Sequence, residues 1–241
     1  MKCRIGSIEL AGMRYNRLDE EILDKAAMII DAKSKLVMIG DSITDCGRLR
    51  PLAAAPQDLG NGYVSLVDAL LRATFPSAGL RIVNMGNGGD TVRELKVRWQ
   101  SDVVALKPDW LSIMIGINDV WRHFDNIAMP AGQVSIEEYR RTLDELIRKT
   151  LPGLKGLILL TPYYIESNPQ DPMRAMMDSY GDVVRHLADK YDAALVDTQA
   201  AMDVALQAAP ALSLSPDRVH PGLTGHMILA RAFLKAIEYN W

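Results

Sequence analysis

Five short runs of almost unbroken apolar character punctuate this chain of 241 residues: Lys35–Ile39, Leu80–Asn84, Trp110–Ile115, Gly156–Leu160 and Ala193–Val196. A strand with one face in water alternates apolar and polar residues, whereas a strand covered on both faces does not. The runs therefore predict strands of a parallel sheet with helices on each side. Segments of helical periodicity lie between them. Tyr63–Phe75 places Val64, Val67, Leu70 and Leu71 on one stripe, and Val92–Leu106 does likewise. Ser135–Ile147 opens with Ser135-Ile136-Glu137-Glu138, a serine followed three residues later by an acid, which is a capping-box pattern. Asp171–Tyr191 and Leu223–Ile237 supply two further helices, and Leu18–Ala32 an amphipathic N-terminal one. Alternation of this kind requires right-handed crossovers and predicts an α/β fold, a three-layer α/β/α sandwich around a central parallel five-stranded sheet.

No repeat, low-complexity tract or Gly/Ser linker divides the chain, and 49% hydrophobic residues suffice for one sizeable core. The expected organisation is one domain over residues 35–241, with residues 1–34 as an N-terminal extension packed on it. A formal net charge of -3 with 24% charged residues argues against a nucleic-acid partner, which would call for a basic patch. Two cysteines, Cys3 and Cys46, fit reduced thiols better than a disulfide framework. Met1–Ile8 holds Lys2 and Arg4 without a signal-peptide apolar run, and nothing approaches the ~20 apolar residues of a membrane span. A cytoplasmic protein with no membrane partner is expected.

Two short elements carry the chemistry. Gly40-Asp41-Ser42-Ile43-Thr44 follows the first apolar run, and Asp217-Arg218-Val219-His220 precedes the last helix. A serine hydroxyl is a weak nucleophile until a base takes its proton, and the base works best when a carboxylate fixes its tautomer. Ser42, His220 and Asp217 supply the three parts. Competing readings exist: Ser42 as a helix cap, and Asp197 as the acid. Gly-x-Ser-x-Gly is absent because Thr44 follows Ile43. No His-Glu-x-x-His, paired Cys-x-x-Cys or P-loop is present, so neither metal nor cofactor is expected. Asp41 and Asp119 read as loop supports, His186 and His226 as packed or solvated, and Cys46 as structural.

Four blocks fall in order, each near a predicted strand end or before the last helix: Gly40-Asp41-Ser42, Asn84-Met85-Gly86-Asn87-Gly88-Gly89-Asp90-Thr91, Gly116-Ile117-Asn118-Asp119 and Asp217-x-x-His220. From about Lys35 onward the set resembles the SGNH hydrolases, also called GDSL esterases and lipases, a family of flavodoxin-like architecture. The resemblance implies an oxyanion hole built from the Ser42 and Gly89 N–H groups and the Asn118 amide, with Gly86 and Gly88 competing for the glycine position. Gly40–Arg48, Ile113–Arg122 and Gly225–Phe233 are further similar to bacterial intracellular acetylxylan esterases of that family. This implies an acetylated oligosaccharide substrate and a homo-oligomer. Trp121 is a candidate sugar-stacking platform, and His123 and Asp41 join it as candidate substrate contacts. Pro216 departs from the aromatic residue that the resemblance implies before the acid. Other readings are a different ester hydrolase of the family, a lysophospholipase or thioesterase, or a binding protein that keeps the fold without the chemistry.

Overall fold

Leu36–Ile39 are almost wholly out of water, and this continuous burial seats their strand at the centre of the sheet. The computed structural model describes residues 28–52, 54–125 and 132–239. Its strands are β1 (Lys35–Gly40), β2 (Arg81–Gly86), β3 (Trp110–Met114), β4 (Gly156–Leu160) and β5 (Ala194–Val196). They form one sheet in the order β2-β1-β3-β4-β5, every pairing parallel. The expected sheet is therefore observed, with β2 running two residues further than its apolar run, to Gly86.

The main helices are α1 (Ser42–Asp45), α2 (Tyr63–Thr74), α3 (Val92–Asp102), α4 (Ile117–Asp125), α5 (Ile136–Thr150), α6 (Pro172–Tyr191), α7 (Thr198–Leu206), α8 (Ala211–Leu214) and α9 (Leu223–Ala236). Helices α2, α7 and α9 pack together, and α3, α5, α6 and α4 form a second packed group. Chain order explains the division. β1 and β2 run one way across the sheet and β2 to β5 the other, so right-handed crossovers place α2 on one face and α3, α5 and α6 on the opposite one. Tyr63, Val67 and Phe233 fill the first layer, and Trp99, Leu143 and Met177 fill the second.

Three details differ from expectation. The helix beginning at Val92 stops at Asp102; Val103 (φ -125, ψ -64) breaks it, and a 3-10 turn over Val104–Leu106 leads down to β3. Lys35 Nζ holds that turn through the Leu106 carbonyl at 2.6 Å. Most of Leu18–Ala32 lies outside the described residues, and its described end, residues 28–32, is not helical. There the Ile29 N–H donates to the Ile237 carbonyl (3.1 Å) and the left-handed Lys33 (φ 63) donates to Ala78, so the backbone is tied to neighbours instead of to its own preceding turn. Helices α4 and α7 follow strand ends where no periodic stretch announced them.

Two glycines set how close the loops come to the sheet. A Cβ on Gly40 would lie 2.3 Å from the Met114 carbonyl, and one on Gly86 would lie 2.1 Å from the Asp45 nitrogen. Both contacts are with backbone, which cannot swing aside. Gly86→Ala is expected to lower unfolding stability by about 1–3 kcal/mol through overpacking. Urea denaturation checks this, and an unchanged midpoint would show that α1 does not bear on β2.

Candidate active site

Asp41, not Ser42, caps the helix that follows β1. Its Oδ1 accepts from the Ile43 N–H at 2.9 Å, and Ser42 is the first helical residue. The serine hydroxyl is thereby left for another partner, and it meets His220 Nε2 at 2.9 Å across 178 residues of chain. His220 Nδ1 in turn lies 2.7 Å from Asp217 Oδ2. Because a carboxylate only accepts, Nδ1 carries the proton and Nε2 presents a lone pair to the Ser42 hydroxyl. That is the tautomer a general base needs.

The loop holding the acid and the base is pinned on several sides. Asp217 Oδ1 accepts from the Val219 and His220 N–H groups, at 2.9 and 2.8 Å, and from the Ser215 hydroxyl at 2.9 Å. Partial burial pushes the Asp217 carboxyl upward, but the His220 ring and these other donors outweigh it and hold it well below the usual carboxylate range. Arg218 adopts a left-handed backbone (φ 65), and its guanidinium pairs with Glu166 at 2.5 Å, 5.3 Å above the Tyr164 ring. Ser215 carried no sequence signal, since a serine two residues before an acid is an ordinary turn pattern. Pro216 between them is exposed.

Asp197, the rival acid, is committed elsewhere. It bonds the Arg185 guanidinium at 3.0 and 3.1 Å and caps α7 through the Ala200 N–H.

The candidate oxyanion donors can be sorted by their commitments. Gly86 N–H donates to Asn84 Oδ1 at 2.9 Å, and Gly88 N–H to Asp45 Oδ2 at 3.3 Å. Among the described residues no acceptor meets the N–H of Ser42 or of Gly89. Gly89 has φ 83, a left-handed conformation that favours glycine. The Asn118 amide gives one hydrogen to the Asp90 carbonyl at 2.9 Å, which fixes its plane and leaves the second hydrogen available. Three uncommitted donors at the carboxyl ends of β1, β2 and β3 match what a developing oxyanion requires.

The other predicted residues are more mixed. Asp41 is 1% exposed, so its carboxylate braces the serine turn instead of facing a ligand. The ring of Trp121 lies 6.0 Å from that of His220 and lines a cavity of about 320 Å³ together with Phe124, Asp125, Tyr164, Asp171 and Met173. His123 turns away from it, with Nε2 3.0 Å from the Val134 carbonyl. His226 Nδ1 accepts from the Tyr63 N–H, so its Nε2–H points at Cys46 Sγ, 3.3 Å away. Burial, and to a lesser degree nearby His220, lowers its pKa to about 4, and it stays neutral at neutral pH. Among the described residues no group of three or more His, Cys, Asp or Glu side chains could hold a metal ion, and no helix is long and apolar enough to cross a membrane.

A base-activated serine at the point where strand order reverses, facing spare backbone donors, is the equipment of a hydrolase that works through its own side chains. A model of the GDSL-like lipase/acylhydrolase family matches residues 38–228. The chain belongs to that family and is a carboxylic ester hydrolase. An acetylxylan esterase from Geobacillus stearothermophilus is 53% identical over 215 residues, covering 89% of this chain and 98% of the relative. A crystal structure of a catalytic mutant of an acetylxylan esterase from the same species matches with a TM-score of 0.88 at 52% identity, over 89% of this chain and 98% of that one. An alpha/beta hydrolase enzyme from the metagenome of Lake Arreo, Spain, matches at 0.85 and 52%, over 87% and 97% of the two chains.

Two buried carboxyls behind the site titrate unusually. Burial raises Asp41 and Asp119 to about 7, against the pull of N–H donors that include Ile43 for the first and Val92 for the second. Asp119 Oδ2 is buried without a partner. A carboxyl raised above its unfolded value of 3.8 binds its proton more tightly when folded. Its contribution to stability is complete below that value and is lost as pH rises through about 7. Asp119→Asn keeps the acceptor for Val92 and removes the titration. Its melting temperature should exceed that of the wild type at pH 8 and converge with it near pH 4, as followed by circular dichroism. A gap that is constant over this range would contradict the assignment.

Proposed function

We propose that the chain removes acetyl groups from acetylated xylo-oligosaccharides by way of an acetyl-Ser42 intermediate. The observation that carries this reading is the unbroken hydrogen-bond line from Asp217 through His220 to the Ser42 hydroxyl. His220 takes the Ser42 proton as Oγ attacks the acetyl carbonyl. The tetrahedral oxyanion is held by the Ser42 and Gly89 N–H groups and by the spare hydrogen of the Asn118 amide. His220 then protonates the departing sugar oxygen, and the carbonyl–oxygen bond to the sugar breaks. A water activated by the same imidazole releases acetate and restores the hydroxyl. Asp217, held ionised by its donors, stabilises the imidazolium in both halves.

The substrate is supported by the 53% identical acetylxylan esterase and by the cavity that Trp121 lines, its ring 6.0 Å from that of His220. A flat indole such as Trp121 can cover the apolar face of a pyranose. Residues 35–241 form the catalytic unit in this reading, with residues 1–34 as an extension to it. The enzyme is cytoplasmic and assembles with its own copies; exposed Val204, Leu212, Leu223 and Met227 on α7, α8 and α9 suit a contact between subunits.

The test compares wild type, Ser42→Ala and Asn118→Ala on acetylated xylobiose, a short aryl acetate and a lysophospholipid, with light scattering on the same samples. Ser42→Ala should lose activity by on the order of 10⁴-fold or more, and Asn118→Ala about 10²–10³-fold. Activity retained by Ser42→Ala would remove the nucleophile. Equal turnover of lysophospholipid and acetylated sugar would remove the substrate, and a monomeric mass in solution would remove the assembly.

A further inference from the structure

Arg98 sits on α3 with only 14% of its side chain exposed, outside all four motif blocks. Its guanidinium is shared between the carboxyl ends of β1 and β2. Nη2 donates to the Gly40 carbonyl at 2.8 Å, two residues before Ser42. Nη1 donates to the Met85 carbonyl at 2.6 Å and to Asp102 Oδ2 at 2.9 Å. Nε donates to Asp90 Oδ2 at 2.5 Å.

Asp90 passes the connection on. Its Oδ1 accepts from Asn87 Nδ2 at 2.6 Å, bridging the Gly88-Gly89 turn, and its carbonyl accepts from the Asn118 amide at 2.9 Å. The Gly40 carbonyl that Arg98 holds also accepts from the Asn87 N–H at 3.0 Å. Each of the three candidate oxyanion donors is therefore adjacent to something this one guanidinium fixes. Ser42 follows the Gly40 carbonyl by two residues. Gly89 lies in the turn spanned by Asn87 and Asp90. Asn118 is bonded to Asp90 itself.

We propose that Arg98 is a positioning residue for acyl transfer, setting the spacing of the Ser42, Gly89 and Asn118 donors without touching the substrate; this rests on the serine-hydrolase reading above. An ion pair alone would not need an arginine, since Asp90 and Asp102 would accept from a lysine as well. The two backbone carbonyls on neighbouring strands, at the ends of β1 and β2, are what require a planar fork with fixed angles between its donors. Donors preorganised in this way stabilise charge that develops only in the transition state, so their misplacement lowers kcat and spares substrate binding.

The test uses the full chain as wild type, Arg98→Ala and Arg98→Lys with an aryl acetate, counting competent sites by stoichiometric titration of Ser42 with an organophosphate. For Arg98→Ala, kcat per titrated site should fall about 10²-fold, while KM stays within about threefold. Inhibition by methylboronic acid, which forms a tetrahedral adduct on the serine, should weaken in parallel with kcat. Arg98→Lys should fall about tenfold with the same split, and it decides the matter if Arg98→Ala does not fold. A kcat per site within about threefold of wild type, or a rise in KM with kcat unchanged, would overturn the proposal. Wild type inactive on every ester would instead defeat the hydrolase reading on which it rests.

Discussion

β1, β2 and β3 end on one level: in the parallel register Gly40 stands opposite Gly86 on one side and Met114 on the other. Everything chemical depends on that alignment. Ser42, Gly89 and Asn118 follow three strands that are far apart in sequence, Ser42 and Asn118 in the first turns of α1 and α4 and Gly89 in a turn, and they converge because those strands stop together. The two glycines make the convergence tight, since any side chain at either position would strike backbone, of β3 for Gly40 and of α1 for Gly86. β1 also lies where the chain reverses direction across the sheet, so a crevice opens beyond its carboxyl end without any insertion to create it.

Within the crevice, electrostatics separates the carboxylates into two kinds. Asp217 is only partly buried and accepts from four donors, which keep it ionised against His220. Asp41 and Asp119 are enclosed, and burial raises them to about 7. They therefore brace backbone N–H groups of Ile43 and Val92 without carrying full negative charge at neutral pH. The same burial keeps His226 neutral, with its own partners in Tyr63 and Cys46. Of the histidines in the described part of the chain, His220 alone joins a carboxylate to the Ser42 hydroxyl.

Much of this was legible in the residues. Continuous apolar runs marked the strands because burial on both faces leaves a pattern along one dimension. The four motif blocks placed Ser42, Asn118, Asp217 and His220, whose types are dictated by the chemistry. What stayed hidden depends on contacts distant in sequence. Arg98 reads as one more charge on a solvated helix until the fold lays Gly40, Met85 and Asp90 around it. His123 looked well placed beside Trp121, but its ring turns to the Val134 carbonyl. The end of α3 at Asp102 was invisible because Val103 and Val104 continue an apolar period while the backbone already turns toward β3. Asp41 was legible as a loop support but not as a ligand contact, since only its 1% exposure excludes the latter geometry.

The chemistry and the substrate have different physical foundations. Hydrogen bonds among fixed atoms support the first, while the second rests on a cavity wall and on likeness to a relative. The proposed chemistry requires that the acyl group pass through Ser42. Rapid acid quenching during turnover of an acetylated xylo-oligosaccharide, followed by peptide mass spectrometry, tests it most directly. One added acetyl group is expected on the peptide containing Ser42, absent when substrate is omitted. Steady-state turnover with a labelled acetyl group found on another side chain, and none on Ser42, would contradict it.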